Sequence, residues 1–217
     1  MSEKPDGSIL QRDKETYAIV PRTPAGVLSA EFLEQLAKVV RKYDIPITKI
    51  TSGHRLALVG LKKDDIAKVW TDLGADVGRA TELCLHYVQA CPGNQVCSLG
   101  VQDSLGMGIE LEKRYLGVEM PAKLKLGVSG CPMTCSEGYV RDIGLIGKRS
   151  GWIVTYGGNS GGRPRIADVI AEELTGEEAL ALVDKLVEFY RQNGKKRERV
   201  ARMVERLGID TVKEAVL

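Results

Sequence analysis

Four of the five cysteines in this 217-residue chain fall into two close pairs, and this arrangement constrains the fold more than any other feature. Cys91 and Cys97 form the first pair with five residues between them, and Cys131 and Cys135 form the second with three. A further 33 residues separate the pairs. Four thiolates on two loops can ligate a metal centre if the fold carries both loops to one place.

The cysteine spacing by itself leaves several kinds of site open. A zinc ribbon or finger usually places about two to four residues within each pair, and the first pair here is wider. Ferredoxin patterns concentrate three cysteines within a few residues, which this chain does not do. A cuboidal iron–sulfur cluster needs only four converging thiolates, and Gly93 and Gly130 let the backbone bend around it. Buried structural cysteines are the remaining alternative, which is what we expect of Cys84 outside both pairs.

Composition and charge limit the kinds of partner that this chain is expected to bind. The chain carries 31 Lys and Arg against 29 Asp and Glu, and this near balance argues against binding to nucleic acid or to an anionic membrane. No run approaches the roughly 18 apolar residues of a membrane span. Residues 1–13 are polar, which predicts a mobile tail and no signal peptide. We therefore expect a cytoplasmic protein, whose cysteines stay reduced and serve metal binding.

The hydrophobic pattern of the first 80 residues predicts a small α/β sandwich. The expected elements are a strand over 15–20, a turn over 21–26, a helix capped by Ser29 and reaching Tyr43, a strand region over 47–61, and a helix from Asp64 or Asp65 to Gly74.

Near residue 80 the pattern changes, and the cysteines lie beyond this point. Alternating apolar residues predict one strand over 83–88 that runs into Cys91 and another over 122–129 just before Cys131. The other expected elements are a helix to Tyr115 ended by Gly117, strands over 142–146 and 152–156, a glycine-rich turn over 157–162, and a helical tail with helices over 177–193 and to about Leu207.

Several segments resemble the sirohaem-dependent nitrite and sulfite reductases. They are ACPGNQVC, KLKLGVSGCPMTC and DIGLIG around the cysteines, then GVQDSLGMGIELEKRY, GWIVTYGGNSGGRPRIAD and, nearer the N-terminus, ITSGHRLALVGL. The resemblance runs from about residue 15 to the C-terminus. It implies an α+β fold, with a ferredoxin-like half-domain over residues 1–80 and a sirohaem- and [4Fe–4S]-binding α/β domain with a helical tail over residues 81–217.

The resemblance also implies the cofactor ligands. Cys91, Cys97, Cys131 and Cys135 would hold the [4Fe–4S] cluster, and Cys135 would also bridge to the sirohaem iron. A shared thiolate gives electrons a covalent route between the two groups, and its charge and hydrogen bonds tune both potentials.

Two lysines before the third cysteine are candidate substrate contacts. Sulfite and nitrite are anions, so their site needs fixed positive charge and proton donors. Lys123 and Lys125 project from the same side of a strand, about 7 Å apart, while Leu124 and Leu126 face the core. An ordinary solvated strand face is the alternative, but K-x-K in this position resembles the two substrate-side lysines of the family.

Arginines in the N-terminal half are candidates for the same role. Arg22 in VPRTPAG and Arg55 in SGHRLALVG resemble the arginines of the first and second strands of the family. Each would contact substrate or a sirohaem carboxylate, and a surface salt bridge is the alternative for both. Next to the glycine-rich turn, Asn159, Arg163 and Arg165 are candidates for sirohaem carboxylates, and a plain surface loop is the alternative there.

One position departs from the family pattern. Family members usually carry an arginine five residues before the first cysteine, where this chain has His86. Histidine can donate a hydrogen bond and deliver protons near neutral pH, but it is shorter and not permanently charged. Arg79 is the upstream residue expected to compensate, and His54 stands where some relatives have glutamine. The change to histidine therefore affects which substrate we expect more than which cofactors we expect.

The expected function is the six-electron reduction of sulfite to sulfide. The sequence contains no Rossmann glycine fingerprint after a strand, so we expect electrons from an external donor such as a ferredoxin or a reductase subunit. Reduction of nitrite to ammonia is the main alternative. A non-catalytic iron–sulfur electron-transfer protein, and reduction of a tetrapyrrole or a polysulfide, are the others. Larger relatives contain this module twice, so a single copy also predicts a homo-oligomer.

Overall fold

The polypeptide folds into two compact units. The structure is a computed structural model that describes residues 5–78 and 82–217. The first unit covers the chain up to Glu82 and the second covers Leu83–Leu217. Each unit has its own sheet and its own helices, so the expected α+β class is confirmed.

The first unit is built on a four-stranded antiparallel sheet. Its strands are β1 (Ser8–Leu10), β2 (Tyr17–Ile19), β3 (Ile47–Ile50) and β4 (Leu56–Leu61); its helices are α1 (Ala30–Lys42) and α2 (Ile66–Leu73), with short 3-10 helices at Pro24–Gly26 and Lys63–Asp65. The strands pair in the order β1-β2-β4-β3. Apolar side chains from the sheet and from both helices form one core, which includes Ile19, Leu58 and Val69.

The ends of the two helices follow the expected local signals. At the start of α1 the Ser29 hydroxyl accepts the N–H of Phe32 at 3.2 Å, which satisfies one amide that has no partner within the helix. At the end of α2 the backbone of Gly74 turns left-handed, with φ of 61°, a conformation that glycine adopts without strain.

The expected mobile tail over residues 1–13 is wrong for its described part, and residues 1–4 lie outside the described residues. Ser8–Leu10 form β1 and pair with β2, and Ser8 is buried. The carbonyl of Asp6 accepts the indole N–H of Trp70 at 3.3 Å. The segment is polar in its own sequence, and contacts with residues far along the chain give it order.

The second unit contains a five-stranded mixed sheet. Its strands are β5 (Leu85–Ala90), β6 (Leu124–Ser129), β7 (Ile143–Lys148), β8 (Gly151–Tyr156) and β9 (Asp168–Leu174); its helices are α3 (Ser104–Tyr115), α4 (Gly176–Asn193), α5 (Val200–Leu207) and α6 (Ile209–Val216), with 3-10 helices at Gly93–Gln95 and Gly138–Val140.

The strands of this sheet pair in sequence order from β5 to β9. The first three are parallel to one another, while β8 and β9 are antiparallel to their neighbours. The carboxyl ends of β5, β6 and β7 therefore lie at one edge of the sheet, and this edge positions the cysteines.

In the second unit, a strand and a helix differ from the sequence prediction. The strand β9 contains two adjacent glutamates, so it has little of the apolar alternation that marks a buried strand, and among the described strands it pairs with β8. The helix α6 has only eight residues and begins directly after Gly208. In the part of the chain that the structure describes, none of the helices is long and apolar enough to cross a membrane.

Candidate functional site

The two cysteine pairs follow the carboxyl ends of two neighbouring strands. Cys91 comes directly after β5, and Cys131 comes two residues after the end of β6. The two strands are parallel, with Gln89 opposite Gly127. The structure thus brings together two loops that lie far apart in the sequence, as a shared metal centre requires.

Hydrogen bonds join the two cysteine loops directly. The N–H of Gly130 donates to Cys91 Sγ at 3.2 Å, and its carbonyl accepts the N–H groups of Val101 and Gln102 at 2.8 and 3.0 Å. The Ser104 hydroxyl lies 3.2 Å from the same sulfur and donates to the Cys91 carbonyl at 2.8 Å. An amide that donates to a cysteine sulfur stabilises the thiolate, the form that binds iron. The loops therefore fit a metal-bound thiolate at Cys91.

The cysteines differ in exposure. Cys131 is buried, Cys91 is half-buried, Cys97 and Cys135 are exposed, and none of the five forms a disulfide. A group that enters from solvent therefore meets Cys97 and Cys135 first. Cys84 is buried outside both loops, as expected. Within the described residues, no three His, Cys, Asp or Glu side chains lie close enough together to surround a single metal ion.

Residues 131–142 connect the second cysteine pair to the start of β7, and we name them the return segment. The Ser136 N–H donates to the Ser129 hydroxyl at 3.0 Å. The carbonyl oxygen of Ser136 lies so near β6 that a Cβ on Gly127 would be 2.3 Å from it. A larger residue at position 127 would therefore displace the segment that carries Cys135.

The return segment ends beside Lys125, at the amino end of β6. The carboxylate of Asp142 is fully buried, and its Oδ2 accepts the backbone N–H of Lys125 at 2.8 Å. Arg199, which directly precedes α5, donates to this carboxylate from Nη2 at 2.6 Å and from Nε at 3.3 Å. The structure thus places one of the predicted substrate lysines, itself half-buried, next to an ion pair whose carboxylate is buried and whose guanidinium is partly exposed.

The charge state of Lys125 reflects this environment. Burial lowers the pKa of Lys125, and the positive charges of Arg199 and Arg141 lower it further, against the opposing charges of Asp142 and Glu137. Burial raises the pKa of Asp142, although Arg199 opposes this change. The Lys125 ammonium therefore releases its proton more readily than that of a solvated lysine, a useful property beside a reacting anion.

His86 and Lys123 lie at the same end of the sheet as Lys125. His86 is in β5 and only 2% exposed, whereas Lys123 is half-buried and immediately precedes β6. The residues next to them, Leu85 and Leu124, are register partners, so both polar residues lie near the amino ends of these two strands. The four residue-to-residue steps from Lys125 to Ser129, the end of β6, span about 13 Å. The cations and the cysteine loops therefore lie toward opposite ends of the same two strands.

Sequence patterns do not single out three charged residues of this region: Arg141, Asp142 and Arg199. Arg141 is buried and its guanidinium contacts the side chains of Gln89 and Glu137, but its Nε has no hydrogen-bond partner among the described residues. The available signals are the charged dipeptide Arg141–Asp142 directly before a buried strand and the place of Asp142 at the start of the DIGLIG segment. Arg199 is 57 positions from Asp142, and nothing in the sequence indicates their pairing.

In the first unit, the turn that carries Arg22 meets the turn that carries His54 and Arg55. The Thr23 hydroxyl donates to the His54 carbonyl at 2.8 Å. Arg55 is 7% exposed, and its N–H donates to the Thr51 hydroxyl at 3.3 Å. The structure therefore brings Arg22, His54 and Arg55 together within this unit.

The candidates beside the glycine-rich turn are engaged in local contacts. The side-chain amide of Asn159 donates to the Arg163 carbonyl at 2.8 Å, and the Arg165 guanidinium donates to the Asp168 carboxylate at 2.5 Å. Arg163 pairs with Glu205 at 2.9 Å but remains 75% exposed. Of these three candidates, Arg163 is therefore the most accessible to solvent. Arg79 lies outside the described residues.

Both units match known families. The family model described as "Nitrite/Sulfite reductase ferredoxin-like half domain" matches residues 9–76. The model described as "Nitrite and sulphite reductase 4Fe-4S domain" matches residues 83–217.

Curated relatives were found among both kinds of reductase. The chain is 58% identical over 217 residues to the assimilatory-type sulfite reductase of Nitratidesulfovibrio vulgaris, and the match covers all of both chains. It is 39% identical over 207 residues to the NAD(P)H nitrite reductase of Bacillus subtilis, which covers 95% of this chain and 26% of that relative.

Two solved structures share the fold. A crystal structure of dissimilatory sulfite reductase I matches with a TM-score of 0.82 and 15% identity, over 93% of this chain and 69% of that one. The NirA protein of Mycobacterium tuberculosis matches with a TM-score of 0.81 and 20% identity, over 99% of this chain and 43% of that one.

Proposed function

Because this chain belongs to the nitrite and sulphite reductase family, we propose that it reduces sulfite to sulfide with six electrons. The observation that carries the proposal is the 58% identity, over the full length of both chains, to a protein named as an assimilatory-type sulfite reductase. The [4Fe–4S] cluster and sirohaem of the family supply single-electron transfer and an iron that binds the substrate. Nitrite reduction to ammonia is the second candidate, favoured by the 39% identity to a nitrite reductase.

Cys91, Cys97, Cys131 and Cys135 are the proposed cluster ligands, and Cys135 is the proposed link to sirohaem. The position of both pairs beyond the carboxyl ends of β5 and β6 supports this assignment. The Gly130 N–H that donates to Cys91 Sγ supports it further, since it favours a thiolate.

Lys125 is the proposed cation for the substrate anion, together with Lys123 and His86. A positive charge offsets the charge of the bound oxyanion, and a lysine whose pKa is lowered by burial can also deliver a proton to a substrate oxygen. His86 can donate a hydrogen bond or a proton without a permanent charge.

Further cations are proposed contacts for the substrate or for sirohaem carboxylates. Arginine is suited to this role because its planar guanidinium binds a carboxylate with two nitrogens. The residues are Arg22, His54 and Arg55 in the first unit, Asn159, Arg163 and Arg165 in the second, and Arg79.

The electron donor in this proposal is a separate protein such as a ferredoxin or a reductase subunit. The two reductase models together match residues 9–76 and 83–217, which leaves neither unit as a flavin or nicotinamide domain. A homo-oligomer is also proposed, and a monomer mass for the loaded protein in solution would refute it. A cytoplasmic location agrees with five cysteines that form no disulfide.

Reduction of sulfite and nitrite by the anaerobically loaded protein tests the proposal. Reduced viologen supplies the electrons, and the assay counts viologen oxidised against sulfide or ammonia formed. We expect six one-electron equivalents per sulfide and a higher kcat/KM for sulfite than for nitrite. A preference for nitrite would favour the second candidate, and no product from either anion would favour an electron-transfer protein.

Replacement of Lys125 by methionine tests the residue with the strongest structural support. Methionine keeps most of the side-chain volume but removes the charge and the proton. We expect Lys125→Met to lower turnover about 100-fold, the range of a lost proton donor, with an unchanged visible spectrum. Lys113→Met, at an exposed position of α3, is the matched control. Equal turnover in both variants would remove Lys125 from the site.

A further inference from the structure

We propose that Arg199 is a positioning residue for Lys125 and acts through the buried carboxylate of Asp142. The inference rests on the proposed function, in which Lys125 is a cation for the substrate. It gives a role in the site to the segment that leads into α5, which no sequence motif connects with β6.

A side-chain hydrogen bond holds the backbone of Lys125 at the amino end of β6. The pairing of β6 with β7 begins at Leu126 and Ile143, so the backbone N–H of Lys125 lies just outside that register. The side chain of Asp142 accepts this N–H at 2.8 Å. The carboxylate therefore takes the place of a backbone acceptor and holds the amino end of β6.

An ion pair with Arg199 keeps this acceptor in place. The same oxygen, Oδ2 of Asp142, lies 2.6 Å from Arg199 Nη2, and Oδ1 lies 3.3 Å from Arg199 Nε. A fully buried carboxylate without a cation takes up a proton or moves toward water. Loss of Arg199 would therefore weaken the bond that holds Lys125, although Arg199 does not itself contact the lysine backbone.

Charged side chains around Lys125 also act on its amine. The charges that act on the Lys125 amine come from Arg141 and Glu137 of the return segment, from Asp142 at its end, and from Arg199. Arg199 and Arg141 favour the neutral amine, whereas Asp142 and Glu137 favour the ammonium. Arg199 thus influences both the position and the protonation of Lys125.

Hydrogen exchange of the loaded protein tests the positioning. In Arg199→Gln we expect the Lys125 amide to exchange about ten-fold faster relative to the amide of Val128, inside the same strand, because its acceptor is no longer held. Arg206→Gln, which removes an exposed ion pair of α5, is the control and should leave this ratio unchanged. An unchanged ratio in Arg199→Gln would overturn the proposal, since a purely structural loss would speed both amides together.

Titration of the Lys125 amine tests the charge. The readout is the pH at which half of the amine reacts with an acylating reagent, measured by mass spectrometry. Asp142→Asn removes a negative charge and should lower this midpoint by about 0.5 pH unit. Adding Arg199→Gln to that variant removes a positive charge and should raise the midpoint again. Equal midpoints in the single and double variants would refute a direct effect of the Arg199 charge on Lys125, because the single variant already lacks the carboxylate through which Arg199 positions the lysine.

Failure of this inference can be told apart from failure of the proposed function. Both measurements report on Lys125 without any turnover, so they stand even if Lys125→Met retains full activity. Full activity of Lys125→Met would reject Lys125 as a substrate contact. An unchanged exchange ratio in Arg199→Gln would instead reduce the pair of Arg199 with Asp142 to an ion pair that serves stability alone.

Discussion

Gly130 is the residue whose replacement tests the two cysteine loops most directly. A Cβ at this position would lie 2.7 Å from the Gln102 carbonyl oxygen, 2.8 Å from Gly93 Cα and 3.0 Å from the Ser104 hydroxyl. The first two contacts are with backbone atoms, which cannot rotate away as a side chain can. Gly130→Ala must therefore push the two cysteine loops apart.

The cost of this separation follows from the contacts that it breaks. Overpacking by one methyl group costs about 1–3 kcal/mol when the surroundings are rigid. The movement also strains the bond from the Gly130 N–H to Cys91 Sγ and the two bonds to the Gly130 carbonyl, each worth about 1 kcal/mol. We expect the free energy of unfolding of the unloaded protein to fall by about 2–4 kcal/mol. The cluster content should fall to less than half, because the two loops that carry the proposed ligands move apart.

The assay compares Gly130→Ala with a glycine replacement that meets no atoms. Gly162→Ala is the control, since an added Cβ there has no neighbour within 4 Å. Iron and labile sulfide per chain are measured after anaerobic reconstitution, and stability is measured by urea unfolding of the unloaded protein. If both variants bind the same iron and sulfide and unfold at the same urea concentration, the reasoning about the packed loops is refuted.

Two further predictions concern ion pairs and caps in the helical tail. Arg206 lowers the pKa of Glu198 to about 2 from an ordinary 4.5, so the stabilisation is present above pH 4.5 and is lost as the pH falls toward 2. Glu198→Gln should therefore lower the free energy of unfolding by about 1 kcal/mol at neutral pH, after solvent screening. Near pH 2 the loss should be close to zero. Urea unfolding measured at both pH values checks this, and an equal loss at the two would contradict it. Thr175→Ala removes the capping box that Thr175 and Glu178 form at the start of α4, and thermal unfolding should show a loss of about 1 kcal/mol, whereas an unchanged Tm would speak against it.

The elements that the sequence predicts well are those with local causes. Ser29 and Gly74 mark helix ends because a side chain or a left-handed backbone acts within one turn of the helix. The sequence predicts the strand β6 because Leu124 and Leu126 alternate with lysines, and both leucines are buried in the structure. These signals need no knowledge of the rest of the chain.

The strands that the sequence misses depend on distant partners. The strand β1 is three residues long and polar at its start, and it is ordered by β2 and by the contact of Trp70 with Asp6. The strand β9 carries glutamates and gains its structure from pairing with β8. Short strands bury too little apolar surface of their own to be recognised, so their partners decide the outcome.

At the cysteine pairs, the properties that follow from the local sequence differ clearly from those that need the tertiary structure. Residue types and spacing are enough to indicate metal ligation, since thiolates bind iron and zinc wherever they converge. The flanking motifs then indicate which metal centre it is, a cluster coupled to sirohaem. Convergence itself comes from two parallel strands, whose carboxyl ends place Cys91 and Cys131 at one edge of a sheet. The pairing of Asp142 with Arg199 likewise exists only once α5 packs beside that sheet, because a contact between residues 57 positions apart has no local cause.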